Sequence, residues 1–304
     1  MNPEANAAPQ RLAGEARVAA RAVTWTQAFY WCVRRELWEH RAIYIGPLAA
    51  AGVFLFGFLI TLFRLPHQMR DAMADSSKMK VLAAPYEFAA MAVMLVAMIV
   101  EIFYCLDALQ GERKDRSILF WKSLPVSDLT TVLSKASIPF VILPALAFGV
   151  LVVTAFVMLV LSTVVLTMNG LSAGPLWTQL SLLPNALGLL YHLVTVHILW
   201  YAPLYCWMLL ISAWARRAAL VWAVLPPFCV GMLEKLVFGT SHFAMWIGYR
   251  VSGGMEAEQS GAMMPSTHLT PWRFLSDPGL WLGWIAAVIF LALAVRIRRN
   301  REPI

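Results

Sequence analysis

An all-α polytopic membrane protein is the fold this sequence predicts, with six transmembrane helices, an N-terminal interfacial elbow helix and short external helices before the last span. Of the 304 residues, 60% are hydrophobic and 13% are charged, against about 25% charged in an ordinary soluble domain. Mean hydropathy is +0.68, and residues 136–215 contain no Asp, Glu, Lys or Arg. A water-facing surface could hardly be built from such a stretch. The formal charge of +7, from 24 Lys and Arg against 17 Asp and Glu, therefore reads as a mark of membrane orientation, not of nucleic-acid binding.

Residues 1–24, rich in Ala and carrying Arg11, Arg17 and Arg21, are expected to form a flexible cytoplasmic tail, because no continuous apolar stretch of signal-peptide type follows them. In 25–42, Trp25, Phe29, Cys32, Val33 and Leu37 recur at helical spacing beside Arg34, Arg35, Glu36 and Glu39. That pattern predicts a helix lying in the cytoplasmic interface.

The transmembrane domain covers 43–299, and a helix needs about 20 apolar residues to cross the hydrocarbon. The first span is expected at 43–63, ending at Arg64, and the second at 85–106, with Glu87 near one end and Glu101 inside. Asn169, Gly170, Gly174 and Pro175 divide the long uncharged stretch into spans at 138–166 and 182–213. Pro139, Pro144, Pro184 and Pro203 are expected to bend or break the hydrogen-bond ladder there. A fifth span follows Arg216 and Arg217 and runs to 233, its middle expected to unwind at Pro226 and Pro227, with Glu234 near the exit. The sixth runs over 278–295 and meets the basic residues Arg296, Arg298, Arg299 and Arg301; 300–304 form a second cytoplasmic tail.

Basic residues fix the orientation, since cytoplasmic segments carry the excess of Lys and Arg. Six spans with both termini inside place 17 of the 24 Lys and Arg on the cytoplasmic side and seven outside. The external segment 235–277 mixes Phe238, Phe243, Trp246, Ile247 and Tyr249 with Gly253 and Gly254, a composition that predicts partial entry into the membrane.

The most specific stretch is the loop 107–135, DALQGERKDRSILFWKSLPVSDLTTVLSK. Pro125 restricts Leu124, and Ser127 can cap a new helical turn at Asp128, so two helical pieces flank a break. Glu112, Arg113, Lys114, Asp115 and Arg116 form a two-signed polar surface, while Ile118, Leu119, Phe120, Trp121 and Leu124 supply apolar bulk for a partner's groove.

Here the chain resembles the membrane subunits of bacterial ABC exporters of the type 2 permease family. The resemblance rests on Glu112 and Arg113, on the turn Leu124, Pro125 and Val126, and on Lys135 introducing the third span. It extends over about 25–299. It implies a permease in the bacterial cytoplasmic (inner) membrane that pairs with a second copy or a related permease and couples to a separate ABC ATPase. Glu112, Arg113, Arg116, Phe120, Trp121, Leu124, Pro125 and Asp128 become candidate coupling residues, with Phe120 and Trp121 as anchors. No G-x-x-x-x-G-K-[ST] loop occurs, so Mg-ATP belongs to the partner. The chain is expected to hold no cofactor and not to be an enzyme by itself. A non-transporting scaffold or sensor that binds an ATPase is the alternative.

Glu101, His192 and His197 are the candidate polar site residues inside spans. A charge in hydrocarbon is costly, so Glu101 must face protein or water, and an elbow-helix arginine such as Arg34 or Arg35 is the expected partner. Five α-helical residues turn the chain about 500°, so His192 and His197 are expected on different faces, against a zinc arrangement. Cys32, Cys105, Cys206 and Cys229 form no CxxC pair and read as small buried hydrophobes.

Overall fold

The chain is an all-α polytopic membrane protein with six candidate transmembrane helices. The computed structural model describes residues 24–75, 79–115, 126–253 and 271–300. Residues 1–23, Arg116, Phe120, Trp121, Leu124, Pro125 and residues 254–270 and 301–304 lie outside them.

Helix α1 (Trp25–Glu39) opens on a capping box, in which the Thr24 hydroxyl accepts from the Gln27 backbone N–H and the Gln27 side chain accepts from that of Thr24. The apolar helix α2 (Ala42–Thr61) follows, then the short α3 (Leu65–Ala74). Helix α4 (Met79–Asp107) runs back along α2. The two cross closely at Gly46, where a Cβ would lie 2.9 Å from Val100 Cγ2. After the single turn α5 (Gln110–Lys114), α6 (Asp128–Ser137) leads into α7 (Leu143–Met168). Ser127 caps α6 by accepting from the Thr130 N–H, as its sequence position predicts.

The uncharged stretch contains two π-helical passages. One, Ile138–Ile142, holds Pro139 and precedes Pro144. The other, Leu193–Trp200, joins α9 (Leu182–His192) to α10 (Ala202–Trp214) and precedes Pro203. Proline cannot donate to the carbonyl four residues back, and the ladder widens to bonds five residues apart, as in Leu143 N–H to Ile138 O and Tyr201 N–H to Val196 O. The short α8 (Gly174–Leu180) precedes α9.

Helix α11 (Ala219–Phe238) stays helical through Pro226 and Pro227, contrary to the unwinding expected there. Pro227 has no N–H for the Ala223 carbonyl, and the indole Nε1–H of Trp207 donates to that carbonyl at 3.0 Å. A neighbouring helix thus satisfies the freed group, which is how spans tolerate proline. Only Ala219 and Ala223 of α11 are buried, so the rest of its apolar surface faces outward, as a lipid-facing helix requires. Glu234 caps the next helix, α12 (His242–Val251), by accepting from Thr240 Oγ1 and from the His242 and Phe243 N–H groups. The turn α13 (Pro271–Leu275) and the long α14 (Pro278–Asn300) complete the bundle, α14 packing along α10 through Cys206, Ala202 and Ala287.

The C-terminal half of α1, the C-termini of α4, α10 and α14, the turn α5 and helix α6 meet at one end of this bundle. An apolar cluster of Leu109, Val132, Leu210, Ala213 and Ala294 joins them, and polar contacts lie beside it.

Candidate functional site

The meeting point of those helix ends is a buried ion-pair network. Lys135 of α6 is 1% exposed, and its Nζ lies 2.7 Å from Glu36 Oε1 of α1 and 3.2 Å from Glu112 Oε1 of α5. Arg298 of α14 reaches Glu112 Oε2 at 3.2 Å and Asp128 Oδ1 at 3.6 Å. Arg35 adds a third cation at Glu112, 3.3 Å away, while its Nε holds Glu39 at 2.7 Å. The innermost four groups, Glu36, Glu112, Lys135 and Arg298, carry two charges of each sign and are each at most 5% exposed. Buried charges persist only when paired in this way.

Glu36 shows the balance of effects. Burial pushes its carboxyl upward, but the Lys135 ammonium beside it and the hydrogen bonds from Lys135 and from Tyr104 Oη, at 2.9 Å, hold it below the usual glutamate range.

Arg113 is buried as well and points the other way, donating from Nη2 to the carbonyls of Ser212, at 2.9 Å, and Ala215 at the C-terminus of α10. Ser212 answers with its hydroxyl, which accepts from the Leu109 and Gln110 N–H groups, each at 2.9 Å. One serine thus caps α5 from another helix. We predict that Ser212→Ala, by orphaning the buried Leu109 N–H at about 1–3 kcal/mol and the half-buried Gln110 N–H beside it, lowers the thermal unfolding midpoint of the purified chain; an unchanged midpoint would mean water replaces the hydroxyl.

Of the candidate coupling residues, the structure therefore buries Glu112 and Arg113 at the base of the loop and sets the partly exposed Asp128 against Arg298. Arg116, Phe120, Trp121, Leu124 and Pro125 lie outside the described residues. Lys135, Glu36, Arg35 and Arg298 were not singled out as one site by sequence. The available signal was charge adjoining apolar spans, but their partners are as distant as Arg298 is from Glu112.

A second polar group lies deeper. Glu101 of α4 is 1% exposed and accepts from Tyr205 Oη at 2.7 Å; His197 Nδ1 stands 3.9 Å from the same oxygen. Arg34 and Arg35 are not its partners. Arg34 lies over the rings of Trp31 and Trp38 at 5.1 and 4.9 Å, and Arg35 is held by Glu39 and Glu112. The reason is depth: Glu101 sits about 9 Å back along α4 from Asp107, toward the middle of the bundle.

The two histidines also depart from expectation. The rings of His192 and His197 are 6.0 Å apart in an edge-to-face pair, because bonding five residues apart in the π passage brings positions i and i+5 together. Among the described residues, no group of three or more His, Cys, Asp or Glu side chains is placed to hold a metal ion.

At the opposite end, α12 is fastened to the chain entering α10 and to α14. Trp200 Nε1–H donates to the Arg250 carbonyl at 3.0 Å and Tyr201 Oη to that of Val251 at 3.1 Å. The Arg250 guanidinium, 4.3 Å over the Trp200 ring, donates to the Gly279 carbonyl at 2.9 Å.

Compared with family models, with curated proteins and with solved structures, the chain matches none.

Proposed function

We propose that this chain is the membrane-spanning permease subunit of an ATP-driven ABC exporter, coupling a separate ABC ATPase to substrate translocation. The observation that carries the reading is the threefold hold on Glu112: cations from α1, α6 and α14 converge on the residue at the root of the loop 107–135. A push on that loop reaches four elements at once, which is what a coupling device needs. Separating buried charges is costly, so displacement of the loop passes to the helices that hold it.

In this reading α1 is the elbow helix, both termini are cytoplasmic, and the membrane is a bacterial inner membrane. The ATPase binds and hydrolyses Mg-ATP, and a second copy of this permease, or a related one, supplies the other half of the pathway. Lipid covers the outward face of α11, and nucleic acid plays no part. Phe120 and Trp121 anchor the ATPase, with Arg116, Leu124, Pro125 and Asp128 completing the contact. Glu112 and Arg113 act from beneath, fixing the loop rather than touching the partner. The ATP-bound partner must favour one arrangement of the helices over the other, since equal affinity shifts no equilibrium.

The test is purification of the full chain from its native membrane. Mg-ATP hydrolysis should co-purify, and Phe120→Ala with Trp121→Ala should abolish it while the amount of permease in the membrane stays constant. Retained hydrolysis removes the anchors, and absence of any ATPase from the wild-type preparation removes the reading. Hydrolysis indifferent to every cargo in reconstituted vesicles would favour the non-transporting scaffold.

A further inference from the structure

The ion network accounts for the charges at the end of the bundle but leaves Glu101, His197 and His192 without a task. Glu101 lies inside α4, and no Lys or Arg among the described residues forms an ion pair with it. Its oxygen Oε2 takes one hydrogen bond, from Tyr205, a phenol that keeps its proton while donating. The remaining basic group within reach is the His197 imidazole, 3.9 Å away. His197 in turn meets His192 ring to edge at 6.0 Å and Tyr201 at 5.6 Å. His192 is 2% exposed, and its Nε2 is buried without a hydrogen-bond partner.

With both histidines neutral, an ionised Glu101 would leave this group with one net negative charge in the core of a membrane bundle, a costly state. One added proton removes that charge, whether it rests on the carboxylate or on His197. One carboxylate and two imidazoles is a donor set that zinc can use, but among the described residues no three such side chains are placed to converge on one ion. The titratable neighbours on the packed elements are Cys105 on α4 and Tyr201, Tyr205 and Cys206 around α10. None of these carries a positive charge that could replace the proton.

The local backbone bears on the same group. His197 belongs to the π-helical passage Leu193–Trp200 and His192 immediately precedes it, and such passages recur at functional sites. It is this winding that brings the two imidazoles together.

We propose that Glu101, His197 and His192 form a proton-binding site inside the bundle, in which one exchangeable proton is shared by the Glu101 carboxylate and the His197 imidazole and is exchanged through His192. The proton comes from water and returns to water; only O–H and N–H bonds form and break. The site lies on α4 and on the passage between α9 and α10, apart from the loop 107–135, so it stands or falls independently of any ATPase partner.

Infrared difference spectra of the full chain in phosphatidylcholine vesicles, recorded across a pH series, test the proposal. A deuterium-sensitive carboxyl band should titrate in the wild type and be lost in Glu101→Gln. Its midpoint should move in His197→Gln, and its exchange with deuterium should slow in His192→Gln. Identical spectra for the wild type and a folded Glu101→Gln overturn the site. Should Glu101→Gln not fold, the wild type and His197→Gln still decide: no titrating carboxyl band in the wild type, or a band indifferent to His197, overturns it equally.

Discussion

Replacing Lys135 with Met is expected to cost about 3–5 kcal/mol of stability, the penalty for leaving a buried carboxylate without its counter-charge. Lys135 serves two carboxylates at once, Glu36 at 2.7 Å and Glu112 at 3.2 Å. Glu112 keeps Arg35 and Arg298 after the substitution, but Glu36 retains only Tyr104 and, at 3.7 Å, His40. The loss therefore falls chiefly on Glu36. Combining Lys135→Met with Glu36→Gln should recover much of it, because the uncompensated charge disappears with its partner. Thermal unfolding of the four proteins of this cycle in detergent measures both effects. A loss below about 1 kcal/mol for Lys135→Met, the size found for solvated surface pairs, would show that water enters the network.

The same pair dictates a pH dependence. The Glu36 carboxyl is held below its ordinary range in the folded chain, so its contribution is complete above the unfolded value, about 4.3 for glutamate. It is lost as the pH falls through the lower folded value. Midpoints of the wild type should therefore fall more steeply in acid than those of Glu36→Gln, and parallel curves would contradict the assignment.

The second large effect is expected at Gly283 of α14. A Cβ placed there would fall on Arg250 Nη2 and stand 2.7 Å from its Cζ, so Gly283→Ala must expel the guanidinium. Expulsion breaks the bond to the Gly279 carbonyl and the stacking on Trp200. A desolvated cation–π contact alone is worth about 2 kcal/mol, and overpacking adds about 1–3 kcal/mol. The decisive comparison is the double variant: in an Arg250→Ala background, Gly283→Ala should be nearly neutral, since nothing remains to collide with the methyl group. Equal destabilisation in both backgrounds, read from unfolding midpoints, would place the Gly283 requirement elsewhere.

How far the primary structure could be read depended on the range of the interaction concerned. The apolar lengths of α2, α7 and α14 marked those helices directly, because length and hydropathy suffice for a span, and Ser127 announced the start of α6 through a bond only three residues long. The prolines were read half correctly. Pro139 and Pro203 do accompany altered winding, whereas Pro226 and Pro227 leave α11 intact because Trp207, on another helix, accommodates the freed Ala223 carbonyl. The facing of His192 and His197 was missed for a geometric reason: a 100° step per residue does not hold in a π passage.

Composition and hydropathy by themselves determined that this is a membrane protein of six apolar helices, since burial in lipid is a property of each segment taken alone. Only the tertiary structure decided where the charges go. Glu36, Glu112, Lys135 and Arg298 come from four separate elements, and Glu101 finds Tyr205 and His197 rather than the nearest cations of α1. Pairing in a low-dielectric interior depends on ångström distances between groups far apart along the chain, and these exist only once the helices have packed.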